Sequence, residues 1–160
     1  MEKLLTKVYK NRRLTNFFSL SSHIVSALCV VSILFALGYQ VYLGKYLTAA
    51  ILLVCAGTGF IAVSLVRRFI DAPRPYELYS LYEEKPKERE GRSFPSRHAY
   101  SAAVISVLSL SVSVWMCIPL LLLTIYMCVC RALIGIHFIR DLAAGVLIGA
   151  LAGAIALLLI

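Results

Sequence analysis

AYSAAVISVLSLSVSVWMCIPLLLLTIYMCVC, residues Ala99–Cys130, runs for 32 positions without a charged side chain. A single α-helix of that length would extend roughly 48 Å at about 1.5 Å per residue. The hydrocarbon core of a bilayer is about 30 Å thick and needs about 20 residues. One helix is too long for the membrane, whereas two fit if the chain turns inside the stretch. Pro119 lacks an amide hydrogen and disrupts a helix interior, so the sequence predicts two spans joined by a tight turn near Met116–Pro119. Whether this stretch is one span or two sets the parity of the chain, and with it which loops share a side of the membrane.

Working outward, Leu20–Leu43 and Tyr46–Val66 are two further apolar runs of spanning length, separated by Gly44 and Lys45. A last run extends from Ile139 to Ile160. Hydrophobic residues make up 61% of the 160-residue chain and the mean hydropathy is +0.86, well above a soluble domain. The alternation of a membrane β-barrel is missing. The predicted architecture is all-α: a polytopic helical membrane protein, one domain over residues 1–160, with about five transmembrane helices. Residues 1–18 carry Lys3, Lys7, Lys10, Arg12 and Arg13, with Leu4, Leu5 and Val8 on one helical face, which predicts an amphipathic interfacial helix. In the last span Gly145, Gly149 and Gly153 form a ridge of the small-residue kind that admits a close helix neighbour, and a homodimer through that ridge is one expectation.

The formal charge is +8. Its basic residues flank apolar spans, which points to topology and to anionic lipid head groups rather than to nucleic acid. Five cysteines lie within apolar runs and lack zinc-site spacing, and no metal or cofactor is expected. Fifteen of the sixteen Lys and Arg residues fall at the N-terminus or in the loops 67–97 and 131–141; only Lys45 lies opposite. The positive-inside rule then puts both loops in the cytoplasm of an integral membrane protein, expected in a bacterial cell membrane.

With five spans, loops 67–97 and 131–141 share one side. Their ends collect Arg67, Arg74, Ser96, Arg97, His98, Arg131, His137 and Asp141. Arginines grouped at a low-dielectric boundary suit a polyanion, because the guanidinium fork matches phosphate oxygens. Two histidines can supply a nucleophile and a proton donor near neutral pH. Asp141, four residues after His137, can orient its imidazole one helical turn away. Gly135 ends the fourth helix and leaves His137 near the start of the fifth. Taken singly, an arginine at a span end is an interfacial anchor; the grouping of ionisable residues at membrane depth is what marks a site. His23, inside the first span, is expected to hydrogen-bond a neighbouring helix. Asp71, Glu77 and the charged stretch Glu83–Arg92 are expected to be solvated, the latter as a mobile loop.

Arg67-x6-Arg74-Pro75, Pro95-Ser96-Arg97-His98 and Arg131-x5-His137-x3-Asp141 resemble the three motifs of the type 2 phosphatidic-acid phosphatase and vanadium haloperoxidase superfamily. The family pattern is Lys-x6-Arg-Pro, Pro-Ser-Gly-His and Ser-Arg-x5-His-x3-Asp. The resemblance covers residues 46–160 and implies a metal-independent lipid phosphatase. By motif position, His137 is the nucleophile that forms a phosphohistidine, Asp141 orients it, and His98 protonates the leaving oxygen and then activates water. Arg67, Arg74, Ser96, Arg97 and Arg131 bind phosphate. Three positions depart from the pattern: Arg67 for Lys, Arg97 for Gly and Cys130 for Ser. The implied substrate is a lipid phosphomonoester such as phosphatidylglycerol phosphate, phosphatidic acid or a polyprenyl-linked phosphate. The alternatives are an undecaprenyl diphosphate phosphatase with an outward-facing site and a non-enzymatic membrane scaffold.

Overall fold

The computed structural model describes residues 11–79 and 91–160, together with Leu5 and Val8. Among the described residues the regular structure is helical: α1 (Arg12–Tyr42), α2 (Tyr46–Ile70), α3 (Pro75–Leu78), α4 (Arg97–Leu108), α5 (Val114–Leu133) and α6 (Ile139–Leu158), with a 3₁₀ turn at Ser109–Ser111 after α4. Helices α1, α2, α5 and α6 are each long and apolar enough to cross a membrane. Their outward faces stay apolar: Leu47, Phe69, Trp115 and Leu158 are all more than three-quarters exposed. A water-soluble surface does not carry such a belt, and the protein is an integral membrane protein.

The remaining pass, α4, is shorter. Its 12 residues rise roughly 18 Å, less than a bilayer core, but it need not match the lipid because the other helices enclose it. Ala99, Tyr100, Ala102, Ala103, Val104, Ile105, Ser106 and Leu108 are all buried, the all-round burial of a central helix. About five passes are therefore made by four long helices and one short, enclosed one.

The predicted turn at Met116–Pro119 is corrected: the chain reverses at Ser109–Ser113, and Pro119 lies inside α5. The reason is local. The Ser109 hydroxyl donates to the Ser106 carbonyl at 2.6 Å, and Ser113 caps α5 by accepting from the Trp115 amide at 3.1 Å. Serines that bond their own backbone compete with the helix, while Pro119, one turn and a half into α5, removes only the bond to the Trp115 carbonyl. On the same face of the bundle Gln40, buried near the end of α1, donates to the Ser111 carbonyl at 2.9 Å.

Helix α6 packs against α4 more extensively than any other pair does, and its glycine ridge is why. A Cβ at Gly145 would stand 2.5 Å from the Ser96 carbonyl oxygen, and one at Gly153 would stand 2.7 Å from Val107 Cβ. The ridge thus seats α4 of the same chain, and Gly145, Gly149 and Gly153 are buried by it. The face on which a homodimer contact was expected is therefore occupied by α4 of the same chain.

The interfacial helix expected over residues 1–18 lies largely outside the described residues. Where it is described, Arg12–Phe18 form the first turns of α1, and Leu5 is buried beside a groove between α5 and α6. Residues 80–90, most of the charged stretch expected to be mobile, also lie outside the described residues.

Candidate active site

The ends of α2, α4, α5 and α6 and the segments that join them build the site. Helix α5 stops in a left-handed turn at Gly135, with φ of +66°. The Ile136 amide donates to the Arg131 carbonyl at 3.2 Å and the Gly135 amide to the Ala132 carbonyl at 3.1 Å, the paired bonds of a Schellman ending. That turn leaves Arg131 buried in the last turn of α5 and delivers the chain to His137. Extended backbone at Phe138, the N-cap of α6, then leads into the helix, and the Phe138 amide donates to Asp141 Oδ2 at 3.0 Å. Asp141 caps its own helix from the N3 position.

His137 precedes α6 rather than lying on it, and Asp141, four residues on, is within ion-pair distance of its imidazole. His137 Nδ1 is 3.9 Å from Asp141 Oδ2, beyond hydrogen-bond reach. Ser93 fills the gap. Its Oγ is 3.3 Å from His137 Nδ1 and donates to Asp141 Oδ2 at 2.5 Å. An ionised carboxylate only accepts, so the Ser93 proton goes to Asp141 and Ser93 Oγ is left to accept from Nδ1–H. This chain favours the tautomer with its lone pair on Nε2. Ser93 is fully buried and is the site residue the sequence reading missed; its one signal is its place three residues before Ser96.

The arginines converge from three directions. Arg67, in the last turn of α2, donates to the Pro95 carbonyl at 3.0 Å. Arg74 Nε donates to the Gly91 carbonyl at 3.1 Å. Glu77, expected to be merely solvated, holds that loop: its carboxylate accepts from the Arg74 amide at 3.1 Å and the Gly91 amide at 2.7 Å. Asp71 pairs with Arg92 at 3.7 Å across the same loop. The Tyr76 amide donates to the Gly135 carbonyl at 3.1 Å, tying the Arg74 segment to the α5–α6 turn. Arg67, Arg74 and Arg131 are 6%, 5% and 1% exposed, so a strongly positive field acts in a poorly hydrated space. Burial depresses the His137 pKa below its ordinary value; the Asp141 carboxylate opposes this, and the Arg74, Arg131 and Arg67 charges reinforce it. The net direction favours the neutral imidazole.

Ser96 is the N-cap of α4, accepting from the Ala99 amide at 3.4 Å, and its own amide donates to the Asp141 carbonyl at 3.0 Å. The start of α4 is thereby fixed to the start of α6, with first-turn amides that have no intrahelical partner and favour an anion. His98 is half-buried, within electrostatic reach of Arg131, His137, His23 and Arg97. Arg97 departs from the cluster: its side chain is exposed, with its guanidinium 5.8 Å from the Phe60 ring centroid. His23 is exposed on α1 and makes no hydrogen bond to a described residue, contrary to expectation.

Buried arginines around a neutral, oriented histidine, with a second histidine on the facing helix, define an anion-binding centre suited to phosphoryl chemistry inside a helical membrane protein. The chain belongs to the PAP2 superfamily, whose family model matches residues 47–160. The fold is similar to that of a transmembrane PAP2-type phosphatidylglycerolphosphate phosphatase from Bacillus subtilis, with 19% identity over 99% of this chain and 83% of that one and a TM-score of 0.73. It is also similar to LpxE from Aquifex aeolicus, with 25% identity over 97% of this chain and 93% of that one and a TM-score of 0.70. Comparison with curated proteins gives no match. The fold is that of membrane lipid phosphatases.

Proposed function

We propose that the protein hydrolyses a lipid phosphomonoester through a phosphohistidine on His137. The observation that carries this reading is the buried chain from His137 Nδ1 through Ser93 Oγ to Asp141 Oδ2, set among three buried arginines. Arg67, Arg74, Arg131, Ser96 and the first amides of α4 hold the phosphate oxygens. His137 Nε2 attacks phosphorus, the bond from phosphorus to the lipid oxygen breaks, and protonated His98 gives its proton to that oxygen. As the imidazole gains positive charge, Ser93 and Asp141 stabilise its Nδ1–H. Neutral His98 then takes a proton from water, the resulting hydroxide attacks phosphorus, and the N–P bond breaks to return His137 and release inorganic phosphate. No step calls on a metal.

The basic asymmetry of the sequence supports a site that faces the cytoplasm of a bacterial cell, where lipids of the inner leaflet are the available substrates. The test is phosphate release by purified protein in detergent micelles, over a panel of lipid monophosphates and polyprenyl diphosphates, with and without a chelator. Turnover that survives the chelator and is inhibited by vanadate is expected. Turnover lost with chelator and restored by a metal ion contradicts the mechanism. No release from any lipid leaves the scaffold alternative standing.

A further inference from the structure

Among the described residues, two cavities border different histidines of the site. The larger, about 780 Å³, runs between α4, α5 and α6 and borders His137. The smaller, about 340 Å³, lies chiefly between α1, α2 and α4 and is bordered by His98, Arg97, Phe60 and Val30. Volume alone would assign a lipid chain to the larger. The chemistry selects the smaller. Attacking and leaving atoms stand roughly in line across phosphorus, so the departing group lies away from His137 and against the acid that protonates it, His98. Beside His98 stands Arg97, where the family pattern has glycine. Its guanidinium, 5.8 Å from the Phe60 ring centroid, belongs to an exposed side chain on the lining of the smaller cavity, and its N–H fork suits an anion.

We propose, on the basis of the phosphatase reading above, that this smaller cavity holds the leaving half of the substrate and that Arg97 recognises a negative charge on it. The substrate class is then a lipid phosphate whose leaving group is itself anionic. Such a group is either a lipid monophosphate departing from a diphosphate, or a phosphodiester-linked alcohol departing from a terminal phosphomonoester. In both, the N–P bond to His137 forms, the P–O bond to the leaving group breaks, and the His98 proton goes to that oxygen. The remaining charge of the leaving group faces Arg97. A phosphomonoester of a neutral diacylglycerol offers Arg97 nothing.

The experiment compares wild type, Arg97→Gln and Arg97→Lys on three lipids with identical acyl chains: phosphatidic acid, diacylglycerol diphosphate and phosphatidylglycerol phosphate. Arg97→Gln is expected to lower the ratio of kcat/KM for the anionic-leaving substrates over phosphatidic acid by about tenfold, the scale of one hydrogen bond to a charged group, with Lys retaining part of it. The two anionic arms show whether the charge is adjacent to the scissile bond or one alcohol away. An unchanged ratio for both overturns the proposal. Val30→Trp, which narrows the smaller cavity, is expected to raise KM for the lipid but not for a short soluble phosphate ester, whereas Leu147→Trp in the larger groove is expected to alter neither. The reverse pattern places the leaving group beside His137 and also overturns it. If a bulky variant does not fold, a lipid phosphonate with a photoreactive chain is expected to label wild-type peptides of α1 and α2; labelling confined to α5 and α6 counts against the assignment. Wild-type inactivity on every lipid removes the phosphatase reading itself, whereas turnover without the predicted ratio change removes only this inference.

Discussion

Ser93→Ala isolates the contact that the sequence did not announce. The substitution deletes one hydroxyl and leaves His137 Nδ1 3.9 Å from Asp141 Oδ2, about 1 Å beyond a normal N–H···O bond. Closing that gap would pull Asp141 away from the Phe138 amide it caps at 3.0 Å. A hydrogen bond to a charged group contributes about 1.5–3 kcal/mol, and about 1.4 kcal/mol is tenfold in rate. Loss of the bridge should thus lower kcat by roughly 10- to 150-fold, with the lower end expected where Asp141 partly collapses onto the imidazole. KM should change little, because the arginines that hold phosphate are untouched. Steady-state phosphate release in micelles gives both constants. Ser93→Thr, which keeps the hydroxyl, should recover most of the rate. Combining Ser93→Ala with Asp141→Asn should cost much less than the product of the two single effects, since both act through one imidazole. A kcat within twofold of wild type, or an effect confined to KM, would refute the bridging role.

The depressed pKa of His137 keeps the neutral nucleophile populated in mild acid, so the acid limb of kcat/KM attributable to this residue should fall below pH 6.5; a limb at or above that value contradicts its burial. The same shift means that below the ordinary His pKa the unfolded chain binds a proton that the native site resists, so the stability contributed by neutral His137 should decline as pH falls through that range, measured by thermal melting in detergent. Gly145→Ala should force α4 away from α6, because its Cβ meets the Ser96 carbonyl; overpacking of this kind costs about 1–3 kcal/mol, and both the melting temperature and kcat should drop together. For topology, a cysteine at Lys87 in a cysteine-free background should resist an impermeant thiol reagent in intact cells, and one at Lys45 should react. The opposite pattern would turn the site outward and shift the substrate toward polyprenyl diphosphate.

Much of this site was legible because its parts are cheap to recognise. Arg67, Arg74, Ser96, His98, Arg131, His137 and Asp141 sit at the ends of apolar runs, where a charged or hydrogen-bonding group at membrane depth needs a reason. The loop parity that unites them needed only that Ala99–Cys130 contain two passes, and it tolerated an error in where the turn falls. That error arose because Pro119 is the stronger breaker in isolation, whereas Ser109 and Ser113 act through hydrogen bonds that composition does not display. The glycine ridge was visible but its occupant was not, since spacing shows that a helix can approach and not which one. Ser93 and Glu77 were invisible for a common reason: each acts by bridging residues distant in sequence, and no local pattern encodes such a contact. Arg97 was recognisable as a departure, but only the position of Phe60 shows where its side chain goes.

The central claim is that His137 becomes covalently phosphorylated. Purified protein mixed with a lipid substrate carrying ³²P in its terminal phosphate and quenched within milliseconds should hold label that is lost in acid and stable in base, as a phosphoramidate is. Proteolysis should place that label on the peptide containing His137, and none should appear in His137→Ala. Wild-type turnover with no such label, label on a different residue, or phosphate release that persists in His137→Ala would contradict the account.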